Sequence, residues 1–180
     1  MGIQKIHLRK RYSSRIAHNH TSYLCKDFFA KRTMKVTEFD AQIGRMIMRY
    51  PRRVALAQMN FLDSHDVPRF LSYCEGDRRK MGLAFFYLFM GVGIPSVFYG
   101  DEYYIEGIKE SEYRQAMPWG EEENCAEKFR LWIALRRRHP ALRKGSYRGV
   151  YLDDATGCYG FVLRFVELPC FSDETGTFFC

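Results

Sequence analysis

Residues Val54 to Arg69 read VALAQMNFLDSHDVPR. The run Val54 to Phe61 is short and largely apolar, and the loop after it is polar and turn-forming. That is the pattern of a strand buried on both faces in a parallel sheet, emptying into a loop. The pattern recurs at Ile94 to Gly100, IPSVFYG, which opens into the acidic stretch DEYYIEGIKESEYRQAMPWGEEE. Between the two, Asp77 can cap RRKMGLAFFYLFMG, apolar almost all round from Leu83 to Met90. This predicts a buried helix of about four turns, stopped by Gly91 and Gly93. Strand, helix, strand implies α/β architecture with a parallel sheet, either doubly wound or a (β/α)8 barrel. A complete barrel takes about 250 residues, so on the barrel reading these 180 residues hold only its last quarter or so.

Upstream, Thr37 can cap a helix whose apolar residues Phe39, Ile43, Met46, Ile47 and Tyr50 share one face, with Pro51 ending it. Downstream, Glu122 to Arg138 predicts a helix with acids in its first turn, Arg136, Arg137 and Arg138 in its last, and Phe129, Trp132, Ile133 and Leu135 inward. His139 and Pro140 close it. SYRGVYL and CYGFVLRF flank DDATG, a hairpin signature with a glycine in the turn. The architecture therefore changes from α/β to all-β near residue 145.

Composition is that of a globular interior, with 47% apolar, 16% aromatic and 27% charged residues, which excludes a chain disordered throughout. No uninterrupted apolar run reaches the length of a membrane span, so no membrane partner is expected. The net charge of +7 is unevenly placed: Met1 to Arg53 carry 13 Lys/Arg against 3 Asp/Glu, and Val54 to Cys180 carry 15 against 18. A basic arm on nucleic acid or an anionic surface is the alternative reading of that head. The head has neither interleaved aromatics nor a clear helix, so residues 1–26 are expected to be disordered and no nucleic-acid partner is expected. Six cysteines without a CxxC pair, and Cys25, His18 and His20 outside standard zinc spacing, imply free thiols in a reducing, cytoplasmic setting and no metal.

In parallel α/β folds ligands sit where strands end and loops begin. The first such loop offers Asp63, His65, Asp66 and Arg69, and the second offers Asp101 and Glu102. Carboxylates and an imidazole there can hydrogen-bond vicinal hydroxyls and stabilise a positively charged transition state, as glycosidic cleavage requires. Ordinary caps and loop residues have the same spacing, and spacing alone leaves both readings open.

NFLDSHDVPRFL resembles the fourth conserved region of the α-amylase family, glycoside hydrolase family 13, and GIPSVFYGDEYYIEG resembles the family's eighth barrel strand with its loop. FFAKRTMKVTEFDAQIGRMIMRYP is similar to the helix before the seventh strand, EYRQAMPWG to the Arg-x-Pro-Met-x-Trp segment, and FRLWIALRRRHPALRKGSY to the eighth helix running into a C-terminal β-domain. The similarity runs from about Asp27 to Phe165 and is nearest to the neopullulanase, cyclomaltodextrinase and maltogenic amylase type. Ala116 stands where the family usually has Pro, and Ser64, where many members have Asn, suits this type.

The resemblance implies a fold and a set of roles. Residues 27–144 would be the last strands and helices of a (β/α)8 TIM barrel, and 145–180 the start of an all-β C-terminal domain with an unmatched tail. Asp66 would be the acid that grips ring hydroxyls and stabilises the transition state, and His65 would bond the same sugar. Asp101 and Glu102 would line the pocket, while Asp63 and Arg69 would orient the loop. The implied substrate is an α-glucan, maltooligosaccharide or cyclodextrin, with no cofactor and a parent enzyme that dimerises. The family's aspartate nucleophile and glutamate acid/base motifs have no counterpart here. IAHNH, Ile16 to His20, lacks the Asp of the family's first conserved region. A truncated or frame-disrupted gene product, catalytically incomplete alone, is the expectation.

Overall fold

The computed structural model describes residues 15–120, 124–165, 171–172 and 178–179. Its element order is α1 (Arg15–Cys25), a π-helical turn (Lys26–Ala30), α2 (Val36–Met48), α3 (Arg52–Ala57), β1 (Met59–Asn60), α4 (Phe70–Tyr73), α5 (Arg78–Met90), β2 (Ile94–Pro95), a 3-10 turn (Asp101–Tyr103), α6 (Glu110–Tyr113), α7 (Ala126–Arg138), α8 (Ala141–Lys144), β3 (Ser146–Asp153) and β4 (Cys158–Arg164). Phe171–Ser172 pairs antiparallel with Phe178–Phe179.

β1 and β2 pair in parallel, Met59 opposite Ile94 and Asn60 opposite Pro95, with α5 as the crossover between them. Both strands are far shorter than their apolar runs predict. Val54 to Ala57 are helical, Val54 and Met59 are 45% and 44% exposed, and the chain past Pro95 leaves the sheet. A parallel strand buried on both faces needs a neighbour at each edge, and among the described residues each strand has one. Without a second ladder the Arg- and Ala-rich start of the run takes the conformation its residues favour, and the amides of Val54 and Ala55 donate to the Pro51 carbonyl.

The helices carry the core. Asp77 caps α5 as its sequence predicts, accepting from the amides of Arg79 and Lys80. Its buried residues Met81, Ala84, Phe85, Tyr87, Leu88, Phe89 and Met90 pack on α2 residues Phe39, Ile43 and Met46 and on Phe129 of α7. Leu83 and Phe86 face solvent, so α5 is buried on most of its circumference and not all. Lys35, not Thr37, is the N-cap of α2; Thr37 instead uses its amide and hydroxyl to hold Asp154 of the hairpin, at 2.9 and 2.8 Å. On α7, Phe129 is buried and Trp132 and Leu135 pack against the core, but Ile133 is 39% exposed. The expected start of that helix, Glu122, lies outside the described residues.

The expected disordered head does not extend to residue 26. Arg15–Cys25 is helical, and its Thr21, Leu24 and Cys25 are buried in the core. The Thr21 hydroxyl donates to Asn60 Oδ1 at 3.0 Å, and Asn60 Nδ2 donates to the Val92 carbonyl at 2.8 Å, so one buried amide joins α1, β1 and the approach to β2. Residues 1–14 and the greater part of the tail lie outside the described residues.

The hairpin β3–β4 forms as its alternation predicts, turning through Gly157 in the left-handed region (φ 71°). Its inner aromatics Tyr147, Tyr159 and Phe161 lie against Phe39 and Tyr87, with ring centres of Phe39 and Tyr159 5.4 Å apart and of Tyr87 and Phe161 5.5 Å apart. The Tyr159 hydroxyl donates to Asp40 at 2.7 Å. Among the described residues no helix is long and apolar enough to cross a membrane.

Candidate active site

The loops that follow β1 and β2 meet, and a buried charge cluster joins them. Arg69 is fully buried at the end of the first loop, and Asp101 is 1% exposed at the head of the second. Arg69 Nη1 stands 3.4 Å from Asp101 Oδ1 and donates to the Tyr99 carbonyl at 2.7 Å, while Nε donates to the Tyr113 carbonyl at 3.0 Å. The guanidinium also lies over the rings of Phe98 and Tyr99, 4.1 and 4.9 Å from their centres. Asp63, 2% exposed, accepts from the Phe70 amide at 2.6 Å.

Two carboxyls and one guanidinium in an enclosed space cannot all keep their usual charge. Burial first, then the charge of neighbouring Asp63, pushes the Asp101 carboxyl well above the usual carboxylate range, against the pull of Arg69. Burial likewise raises Asp63, opposed by its Phe70 hydrogen bond. Asp63 Oδ1 is buried without a hydrogen-bond partner, which adds to the cost of carrying negative charge there. Asp63 and Arg69 thus orient the loop, in keeping with their sequence reading.

The same enclosure corrects the expectation for the second loop. Asp101 has no surface to offer a ligand; Oδ2 accepts from the Phe98 amide at 3.1 Å and Oδ1 faces Arg69. Glu102 is half-buried and folds back, its Oε2 accepting from the Gly100 amide at 2.9 Å. Gly100, left-handed (φ 86°), makes the tight turn just before them.

His65 and Asp66 lie on the outside of the cluster. His65 Nε2 is 3.3 Å from Asp66 Oδ2, and their side chains are 66% and 68% exposed. Arg114, one residue past α6, reaches back over this loop: Nε donates to the His65 carbonyl at 2.8 Å, and Nη2 stands 3.5 Å from Asp66 Oδ1 and 3.1 Å from Glu110 Oε1. The sequence reading placed Arg114 in a recognisable segment without giving it a role. Its signal was the Arg at the head of that segment, and only the fold brings it within reach of residues 48 and 49 positions earlier.

His65 and Asp66 lie past the end of a parallel strand, the position at which β/α-barrel enzymes carry their functional loops. Comparison with known proteins gives the family. The family model for the α-amylase catalytic domain matches residues 7–145. This chain belongs to the α-amylase family. The match begins well inside the head expected to be unmatched, and it ends where the hairpin begins.

Among curated relatives, a cyclomaltodextrinase from Geobacillus thermopakistaniensis is 38% identical over 130 residues, 71% of this chain and 22% of its own length. Neopullulanase 2 from Thermoactinomyces vulgaris is 36% identical over 138 residues, 75% of this chain and 24% of its own. The chain thus spans less than a quarter of the length of these relatives. Among solved structures, a cyclic α-maltosyl-(1→6)-maltose hydrolase from Arthrobacter globiformis superposes with a TM-score of 0.71 at 30% identity, covering 75% of this chain and 31% of that one. The fold therefore corresponds to part of a TIM-barrel glycosidase.

Proposed function

We propose that the chain supplies the substrate-gripping part of an α-glucan-acting glycoside hydrolase. Asp66 bonds the ring hydroxyls and stabilises positive charge as it develops on the sugar, and His65 bonds the same sugar. The observation that carries this reading is the Arg114 clasp, which holds an exposed imidazole and carboxylate side by side past the end of β1. The names of the relatives, cyclomaltodextrinase and neopullulanase, support maltooligosaccharides and cyclodextrins as the substrate class. We assign residues from about 15 to 144 to the barrel portion and the β3–β4 hairpin to the start of a C-terminal β-domain. The four described cysteines are all unpaired, which fits a reducing, cytoplasmic setting.

Retaining cleavage needs a nucleophile and a proton donor as a close carboxylate pair, and no segment of the 180 residues matches either family motif. The purified chain is therefore expected to turn over neither starch, pullulan nor cyclodextrin. Turnover that Asp66→Ala abolishes would overturn that expectation.

The test of the site is a graft of residues 27–165 into a full-length relative. Asp66→Asn should lower turnover on a maltooligosaccharide by roughly a hundredfold to a thousandfold, the loss of about 3 to 4 kcal/mol of transition-state contact, and should hit binding less. Near-parental turnover in Asp66→Asn would put the assignment out of register.

A further inference from the structure

A neutral glucan gives no use for the positive charge gathered in the first third of the chain, and the fold shows where part of it goes. Arg45 in α2 and Arg49, the residue that caps it, stand one turn apart, both exposed, and His20 of α1 lines the same cavity. With Gln42, Tyr50 and Gln58 they line a cavity of about 190 Å³. Gln58 immediately precedes β1, so this cavity lies at the opposite end of the strand from the loop that carries His65 and Asp66.

The lining contains no carboxylate. Among the described residues neither Arg45 nor Arg49 has an acidic partner. Like charges at i and i+4 of a helix repel each other unless an anion lies between them. The field reaches His20 as well: burial first, then the charge of Arg49, pushes its imidazole below the ordinary value. A second basic hollow, along Arg130, Arg137 and Arg138 of α7, is wider at about 720 Å³, has neither imidazole nor amide in its lining, and has Arg130 already paired with Glu127.

We propose that the His20, Arg45 and Arg49 cavity binds a phosphate group, free or carried on a small sugar. A guanidinium carries paired N–H donors that match phosphate oxygens, two such groups line this cavity, and no acid has to be displaced. The neighbouring Gln42 amide can donate to and accept from the hydroxyls of a sugar attached to that phosphate.

The experiment titrates the full 180-residue chain with inorganic phosphate, glucose 6-phosphate and glucose, read by calorimetry and by phosphorus-31 line broadening. Saturable binding of the phosphate-bearing probes and none of glucose is expected. Tighter binding of glucose 6-phosphate assigns the site to a sugar phosphate, and equal affinity assigns it to the free anion. Arg45→Gln with Arg49→Gln should weaken binding at least tenfold with unchanged far-ultraviolet dichroism, and Arg49→Gln alone should weaken it in the same direction. Arg137→Gln with Arg138→Gln should leave it unchanged. No saturable binding, survival of binding in the Arg45 and Arg49 variants, or an equal loss in the α7 control would overturn the proposal.

Discussion

Arg69 and Asp101 form an enclosed ion pair, 0% and 2% exposed, that joins the loop after β1 to the loop after β2. The same guanidinium ties down the Tyr99 and Tyr113 carbonyls, so one side chain holds three separate stretches of chain in place.

Removal of that side chain leaves Asp101 and two carbonyls without their donor. Arg69→Ala is expected to lower stability by about 3–5 kcal/mol, the range for breaking a buried pair on one side. Arg69→Lys should recover little, because a single ammonium cannot reproduce the planar fork. Urea unfolding of the chain measures both, and an unchanged midpoint in Arg69→Ala would show the cluster to be dispensable.

The carboxyl pair makes stability depend on pH in a direction opposite to that of most acidic residues. Asp101 holds its proton more tightly when folded than when unfolded, where its ordinary value is 3.8. Its stabilising contribution is full below that value and is lost as pH rises through the raised folded value. Asp101→Asn mimics the neutral form, so its melting temperature should gain on the parent's as pH rises above the ordinary value of 3.8. A difference that does not change with pH would contradict a raised Asp101.

Gly93 sits in the left-handed region (φ 97°), where an added Cβ would lie 2.4 Å from Asn60 Nδ2 and 2.6 Å from the Gln58 carbonyl. Backbone strain and a clash against the strand pair act together there. Gly93→Ala is expected to cost about 2 kcal/mol or more and to speed amide exchange at Ile94 and Ser96, whose amides donate to the Gln58 and Asn60 carbonyls. Parental exchange at those two amides would contradict this.

On the proposed function, Arg114 is a positioning residue that acts through the loop it holds. In the grafted enzyme, Arg114→Ala should lower kcat about tenfold to a hundredfold while KM changes little, since a small displacement of Asp66 matters most at the transition state. Arg114→Lys should restore part of the loss. A fall in melting temperature with kcat intact would reduce Arg114 to a structural tie.

The pattern of elements was legible where it rests on local chemistry. Asp77 before a basic turn predicted the start of α5, and alternation around DDATG predicted the hairpin. Residues Val54 to Ala57 were misread because apolar runs of this length suit a strand only when both edges are paired, and pairing is a property of neighbours. The head was misread because α1 is stabilised by tertiary burial of Thr21, Leu24 and Cys25 and lacks a strong helical signature of its own. In the candidate site, the position of His65 and Asp66 in the loop after β1 was legible from the local pattern, whereas the burial of Asp101 against Arg69 depends on a residue 32 positions away.

The bonds from Thr37 to Asp154 and from Tyr159 to Asp40 close loops of 117 and 119 residues. Closing such loops orders a long stretch of chain before any contact rewards it, which slows the final step of folding. During synthesis the chain grows from its N-terminal end, so α2 and α5 emerge long before the residues that cover Phe39 and Tyr87. Until Tyr159 and Phe161 have been synthesised, the rings that cover Phe39 and Tyr87 are missing, and uncovered apolar surface of this kind is what makes a partly folded chain prone to aggregate.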